Sequence, residues 1–101
     1  MSSHCIKVAG DMVTVTLVDR LDTNNATELL DELKRYAGQP IKQVIFDCAR
    51  LGYISSAGLR VLIFAKQKIA PGGVVSVQSA PASVVKVIRM SGFDAFLTLS
   101  N

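Results

Sequence analysis

Short apolar runs alternate along this chain with segments of helical period, and that alternation restricts the fold more than any other feature. Residues Cys5–Val8 and Met12–Val18 are rich in apolar and β-branched types. In the second run Val13, Val15 and Leu17 face one way and Thr14 and Thr16 the other. "AGDM" separates the two, with Gly10-Asp11 as the turn signal, so they read as an opening hairpin. Asp22 to Ala37 then has Ala26, Leu29, Leu30, Leu33 and Ala37 at helical spacing. Asp22 or Thr23 can cap its start, and Gly38 with Pro40 stops it. "IKQVIFDCA" supplies Val44, Ile45 and Phe46, an apolar run suited to a central strand covered on both faces, with the strand-like character ending at Asp47.

A second helix is predicted from about Ala57 to Ile69. Leu59, Leu62, Ile63 and Lys66 form its stripe, and Val61 and Phe64 make it apolar on more than one side. "APGG" ends it and "VVSVQ" forms the next strand. Pro81 opens a third helix at its first helical position, Val84, Val87, Ile88 and Ser91 line one face, and Gly92 closes it. Phe93 and Phe96 are expected to pack back onto the sheet, and "FLTL" makes a short strand or tail. The order ββαβαβα implies an α/β fold, with a mixed β-sheet of about four to five strands and helices packed on it. With 101 residues and short connections throughout, one domain spanning 1–101 is expected.

Composition removes several classes of function. Half the residues are apolar and 19% are charged, which is globular rather than disordered. The net charge is +3, but the Lys and Arg are scattered from Lys7 to Arg89 without a basic run, and no nucleic-acid partner is expected. No stretch approaches the ~18 apolar residues a membrane span needs, and "MSSHCIKVAG" lacks the h-region of a signal peptide. A cytoplasmic protein with reduced thiols follows as the expectation, with Cys5 and Cys48 as small buried hydrophobes on strands. One histidine, His4, at a frayed N-terminus, and no Cys-x-x-Cys spacing make a zinc site unexpected, and no cofactor is predicted.

The chemistry concentrates at "ISSAGL", between the third strand and the second helix. A serine at a helix start accepts a hydrogen bond from an unpaired amide of the first turn, and this capping role is one reading of Ser55 and Ser56. The other uses the same physics. A helix start tolerates added negative charge, so a phosphate on Ser56, worth about −1.5 to −2 charges, could persist there and change what the loop presents. Gly58 would keep the surface low for a visiting backbone.

The blocks "VIFDCARLGYISSAGLRVL", "VDRLDTNNATELLDEL" and "GGVVSVQSAPASVVKVIRMSGFDAFLTL", in that order, resemble the STAS domain of the anti-sigma factor antagonists over nearly the whole chain. In that family the loop often reads Asp-Ser-Ser/Thr-Gly-Leu, and the serine after the Asp is phosphorylated. Matching on Gly58-Leu59 places that serine at Ser56, with Ser55 as the fallback; Ser55 stands where the family has Asp and Ala57 where it has a second hydroxyl. Asp19 stands where the family usually has glycine, and Asp22 matches its acidic residue near the phosphosite. Asp22 has a cap reading and a partner-contact reading. The resemblance implies partner switching without catalysis by this chain. The unmodified protein binds an anti-sigma factor that is itself an ATP-dependent serine kinase, phosphorylation releases it, and a serine phosphatase resets it. Asp22, Ser55, Ser56, Ala57 and Gly58 are the expected contact residues.

Three rivals stand beside this reading. STAS domains also serve as unphosphorylated scaffolds bound to an ABC-transporter ATPase or a signalling assembly, and the missing Asp favours that role. A serine hydrolase is disfavoured, because neither a nearby base nor a Gly-x-Ser-x-Gly elbow is present. A regulatory tail of a membrane transporter is disfavoured by the lack of a spanning segment and the initiating Met1. The sequence specifies neither a monomer nor a dimer.

Overall fold

The computed structural model describes residues 4–100. Strands β1 (His4–Ala9) and β2 (Met12–Leu21) form the expected hairpin, with Gly10 at φ +63° in its turn. Helix α1 (Thr23–Leu33) follows, then β3 (Gln43–Ile54), α2 (Ser56–Phe64), β4 (Val74–Gln78), α3 (Ala82–Ser91) and β5 (Thr98–Ser100). The sheet order is β1-β2-β3-β4-β5; β1 is antiparallel to β2 and every other neighbouring pair is parallel.

That order decides where the helices lie. Each crossover from β2 onward steps to the next strand in the same direction. Right-handed connections of this kind put α1, α2 and α3 on one face of the sheet. Burial follows: Val13, Val15, Leu17, Val44, Phe46, Cys48, Val75 and Val77 are buried under the helices, whereas Thr14, Thr16 and Ile45 on the other face are half-buried. β3 is therefore not covered on both faces as its apolar run suggested; from Gln43 to Cys48 its side chains alternate between half-buried and buried. From the helices, Ala26, Leu29, Leu33, Leu59, Val61, Leu62, Val84 and Ile88 complete the core.

Several boundaries differ from expectation. β2 continues past Val18 to Leu21, and β3 past Asp47 to Ile54, through two register irregularities, between Thr16 and Val18 and between Asp19 and Arg20. α1 stops at Leu33 and a 3-10 turn (Lys34–Tyr36) finishes the segment, which leaves Ala37 exposed. α2 begins one residue early, at Ser56, and passes after Phe64 into a π-helical turn (Ala65–Ile69). Its end is held by the Lys66 Nζ, which donates to the Gly73 carbonyl at 2.6 Å. Pro81 is the N-cap of α3 rather than its first residue, and Gly92 (φ +81°) terminates it. Val84 and Ile88 are buried, but Val87 and Ser91 are exposed.

Individual side chains also depart from expectation. Phe93 packs against the core, whereas Phe96 is 57% exposed, because its turn precedes the point where β5 joins the sheet. Phe64 packs at the core margin. Cys48 is buried, but Cys5 is exposed, since it alternates onto the helix-free face of β1. His4 is not frayed: it pairs with Leu17 across the hairpin, and its Nε2 lies 3.0 Å from Glu32 Oε1 on α1.

Candidate functional site

Two parallel strands end side by side, and each feeds a helix through a single capping residue. β2 ends at Leu21, and Asp22 caps α1; β3 ends at Ile54, and Ser55 caps α2. The Ser55 amide donates to the Leu21 carbonyl at 2.9 Å, which locks the two junctions together. The starts of α1 and α2 therefore open on the same end of the molecule, outside the carboxyl ends of the strands, where open α/β sheets place their sites.

Both serines of the motif are here, with different duties. Ser55 has extended backbone, and its Oγ accepts the Gly58 amide at 3.1 Å. It is the cap. Ser56 is the first helical residue and is exposed. Its hydroxyl is thus reachable by a visiting enzyme, the condition on which any modification of it depends. Ala57 is half-buried beside it.

Gly58 does not keep the surface low for a partner, because it is buried. A Cβ there would meet Ile54 Cγ1 at 2.8 Å and the Leu21 carbonyl oxygen at 2.9 Å. Its smallness lets the first turn of α2 press onto the two strand ends.

Asp22 is a cap of unusual completeness. Its Oδ1 accepts from the Asn24 and Asn25 amides at 3.1 and 3.2 Å, while Asn25 Oδ1 accepts the Asp22 amide at 2.8 Å. Asn25 Nδ2 adds a bond to the Arg20 carbonyl at 2.7 Å. The remaining oxygen, Oδ2, lies 3.2 Å from Arg20 Nε. The same guanidinium sits 4.9 Å from the ring centroid of Tyr53, which is 48% exposed.

Arg20, Tyr53 and Arg60 are the residues that sequence reading did not single out. Arg20 and Tyr53 face each other in the β2–β3 register, which the irregular pairing hides from a sequence pattern. Arg60 was findable, since it stands four residues after Ser56. With Thr23, Thr27 and Ala57 it lines a groove of about 270 Å3 between α1 and α2.

The elements around this junction contain no cluster of three or more His, Cys, Asp or Glu side chains able to hold a metal, among the described residues. The only histidine is engaged with Glu32, on the far part of α1 from Ser56. The arrangement presents an exposed hydroxyl, that of Ser56, at the end of the molecule where α1 and α2 begin. No helix among the described residues is long and apolar enough to cross a membrane.

Comparison with known proteins is consistent along the chain. Residues 5–101 match the STAS domain model. A putative anti-sigma factor antagonist, BtrV of Bordetella bronchiseptica (strain ATCC BAA-588 / NCTC 13252 / RB50), is 34% identical over 96 residues, covering 94% of this chain and 82% of that protein. Among solved structures, the anti-sigma factor antagonist SpoIIAA in its unphosphorylated form superposes with a TM-score of 0.79 at 15% identity, covering 97% of this chain and 87% of that one. The Bacillus cell fate determinant SpoIIAA in its phosphorylated form superposes with a TM-score of 0.76 at 17% identity, covering 97% and 91%.

Proposed function

The chain is a STAS domain of the anti-sigma factor antagonist family, and on that premise we propose that it is a binding module switched by phosphorylation at Ser56. In the unmodified state it docks the α1–α2 end onto an anti-sigma factor that is also a serine kinase, and so frees a sigma factor. The observation that carries this reading is the division of labour between the two serines: Ser55 does the capping, so the exposed Ser56 hydroxyl is free to react without loss of the helix start.

The chemical step is phosphoryl transfer. The Ser56 oxygen bonds to the γ-phosphorus of ATP held by the kinase, the bond to ADP breaks, and the hydroxyl proton leaves to a base of the kinase or to water. The product carries about −1.5 to −2 charges at the centre of the docking surface. A dianion brought into an interface without matched donors is costly, and a loss of about 3 kcal/mol weakens binding more than a hundredfold. This fold superposes on SpoIIAA in both its unphosphorylated and its phosphorylated form, which supports a switch acting on the surface rather than through refolding. A serine phosphatase restores the hydroxyl. Asp22 and Ala57 act in this reading by shaping the surface around Ser56, Gly58 by seating the first turn of α2 on the strand ends beneath it, and Asp22 is also within reach of a docked partner. A cytoplasmic location belongs to this reading, since the proposed partners act on transcription.

One observation favours a second reading, that of an unphosphorylated scaffold on an ABC-transporter ATPase or signalling assembly: Ser55 stands where the family carries an Asp. One experiment separates the two. The parent, Ser56→Ala and Ser56→Asp are used to capture partners from native lysate, and the parent is incubated with ATP and the captured kinase before mass spectrometry. The expected result is one added phosphate on Ser56, retention of the partner by Ser56→Ala, and loss of at least tenfold in capture by Ser56→Asp. Equal capture by all three, with no phosphate added, overturns the switch and leaves the scaffold.

A further inference from the structure

Arg60 follows Ser56 by four residues on α2, and both are exposed. Residues at that spacing lie one above the other on a helix surface, about 5–6 Å apart at Cβ. Helical side chains lean toward the N-terminus, so a side chain at 60 leans toward 56. Arg60 also lines the groove between α1 and α2, together with Ala57, the direct neighbour of Ser56.

No carboxylate among the described residues balances Arg60. Among the described residues the ion pairs are His4–Glu32, Arg20–Asp22 and Lys34–Asp31, and Arg60 is in none of them. Asp22, next in sequence to the groove-lining Thr23, is already engaged by Arg20 and by two backbone amides. From Cys48 to Phe93 the chain carries no Asp or Glu at all. With Ser55 in place of an acidic residue, no carboxylate next to Ser56 competes for the guanidinium either.

We propose that Arg60 is the internal counter-ion of a phosphoryl group on Ser56, and therefore a positioning residue of the switch. The proposal rests on Ser56 being the modified residue. A guanidinium presents planar paired donors that match phosphate oxygens, which a lysine at this position would offer only as a point charge. Once formed, the pair draws the phosphoserine down the helix face toward the α1–α2 groove. The modified site then presents a held, partly neutralised phosphate over a filled groove, and Arg60 is withdrawn from any contact it makes with a partner. Phosphorylation thus removes one recognition cation as it adds an anion.

The pair favours the doubly ionised phosphate, so the second ionisation of phosphoserine 56 falls below its ordinary value near 6. The test uses protein with phosphoserine incorporated at 56 during synthesis, so no kinase is involved. Phosphorus NMR titrations are run on this phosphoprotein in the parent background and with Arg60→Gln and Arg60→Lys. The expected result is a phosphate titrating about half a unit or more lower in the parent than in Arg60→Gln, with Arg60→Lys retaining part of the shift. Circular dichroism of the exposed-site variants checks that all three are folded. Identical titration in the three proteins overturns the proposal. Failure of a kinase to modify Ser56 overturns the switch reading instead and leaves this titration untouched, so the two are told apart.

Discussion

At Gly58 a single hydrogen stands where any other residue would put a methyl group against the Leu21 carbonyl oxygen at 2.9 Å and Ile54 Cγ1 at 2.8 Å. Two effects oppose each other there. Alanine gains about 0.5–1 kcal/mol over glycine inside a helix. Overpacking a close contact costs about 1–3 kcal/mol. Because one neighbour is a backbone carbonyl in a strand end that cannot turn aside, the cost wins. Gly58→Ala is expected to lose about 1–2 kcal/mol in urea unfolding. Gly72→Ala, with open space around its Cβ and no left-handed backbone, is the control and should match the parent within experimental error. A Gly58→Ala midpoint equal to the parent's would mean that α2 slides on the strand ends. Asp19, which stands where the family usually has glycine, adopts φ +72°, a conformation that glycine takes freely and aspartate is among the few others to tolerate.

Among the elements, α2 depends most on its junction, since its first turn is both the cap and the proposed switch. Ser55→Ala removes the acceptor of the Gly58 amide and should cost about 1 kcal/mol, while Ser55→Asp keeps the cap and adds a charge that the helix start favours. The two variants are expected to straddle the parent in thermal unfolding, with alanine below it and aspartate at or above it. If alanine were as stable as the parent, Ser55 would not be the cap and the division between the two serines would fall. The same junction shows how far a sequence can be read. The hairpin, the three helices, the order of elements along the chain, the helix start at Asp22 and the helix stop at Gly92 were legible, because each rests on local periodicity or a local cap. The extension of β3 was not. From Cys48 its buried residues are Cys48, Leu51 and Ile54, a period of three that a strand template of period two rejects. The period comes from the register irregularities against β2, and the pairing partner, not the segment itself, decides it. The site was legible as a loop at a helix mouth, while the placing of Arg20 against Tyr53 depended on that same hidden register.

At the scale of the molecule, helices on one face only make the two sides of the sheet chemically unequal, and the two thiols report it. Cys48 lies under the helices, and its thiol is pushed up from the usual 9.0 to about 12, first by burial and second by the charge of Asp47. Cys5 lies exposed on the helix-free side of the edge strand. The folded state therefore holds Cys48 neutral at pH values where the unfolded chain ionises it. A raised folded pKa contributes stability that is complete below the unfolded value and is lost as pH climbs from about 9 toward about 12, at up to ~1.4 kcal/mol per pH unit. Other groups titrate in that window, so the informative quantity is a difference: urea unfolding of the parent should weaken more steeply between pH 8 and pH 10.5 than that of Cys48→Ala. Thiol labelling at pH 8 gives the independent check. A disulfide reagent should consume one thiol quickly in the native protein and both in urea, and the native fast site should vanish in Cys5→Ser. Two fast thiols in the native protein would mean that β3 is open to solvent on its helix-covered side. The common floor on which α1 and α2 bring Ser56 to the surface would then be missing.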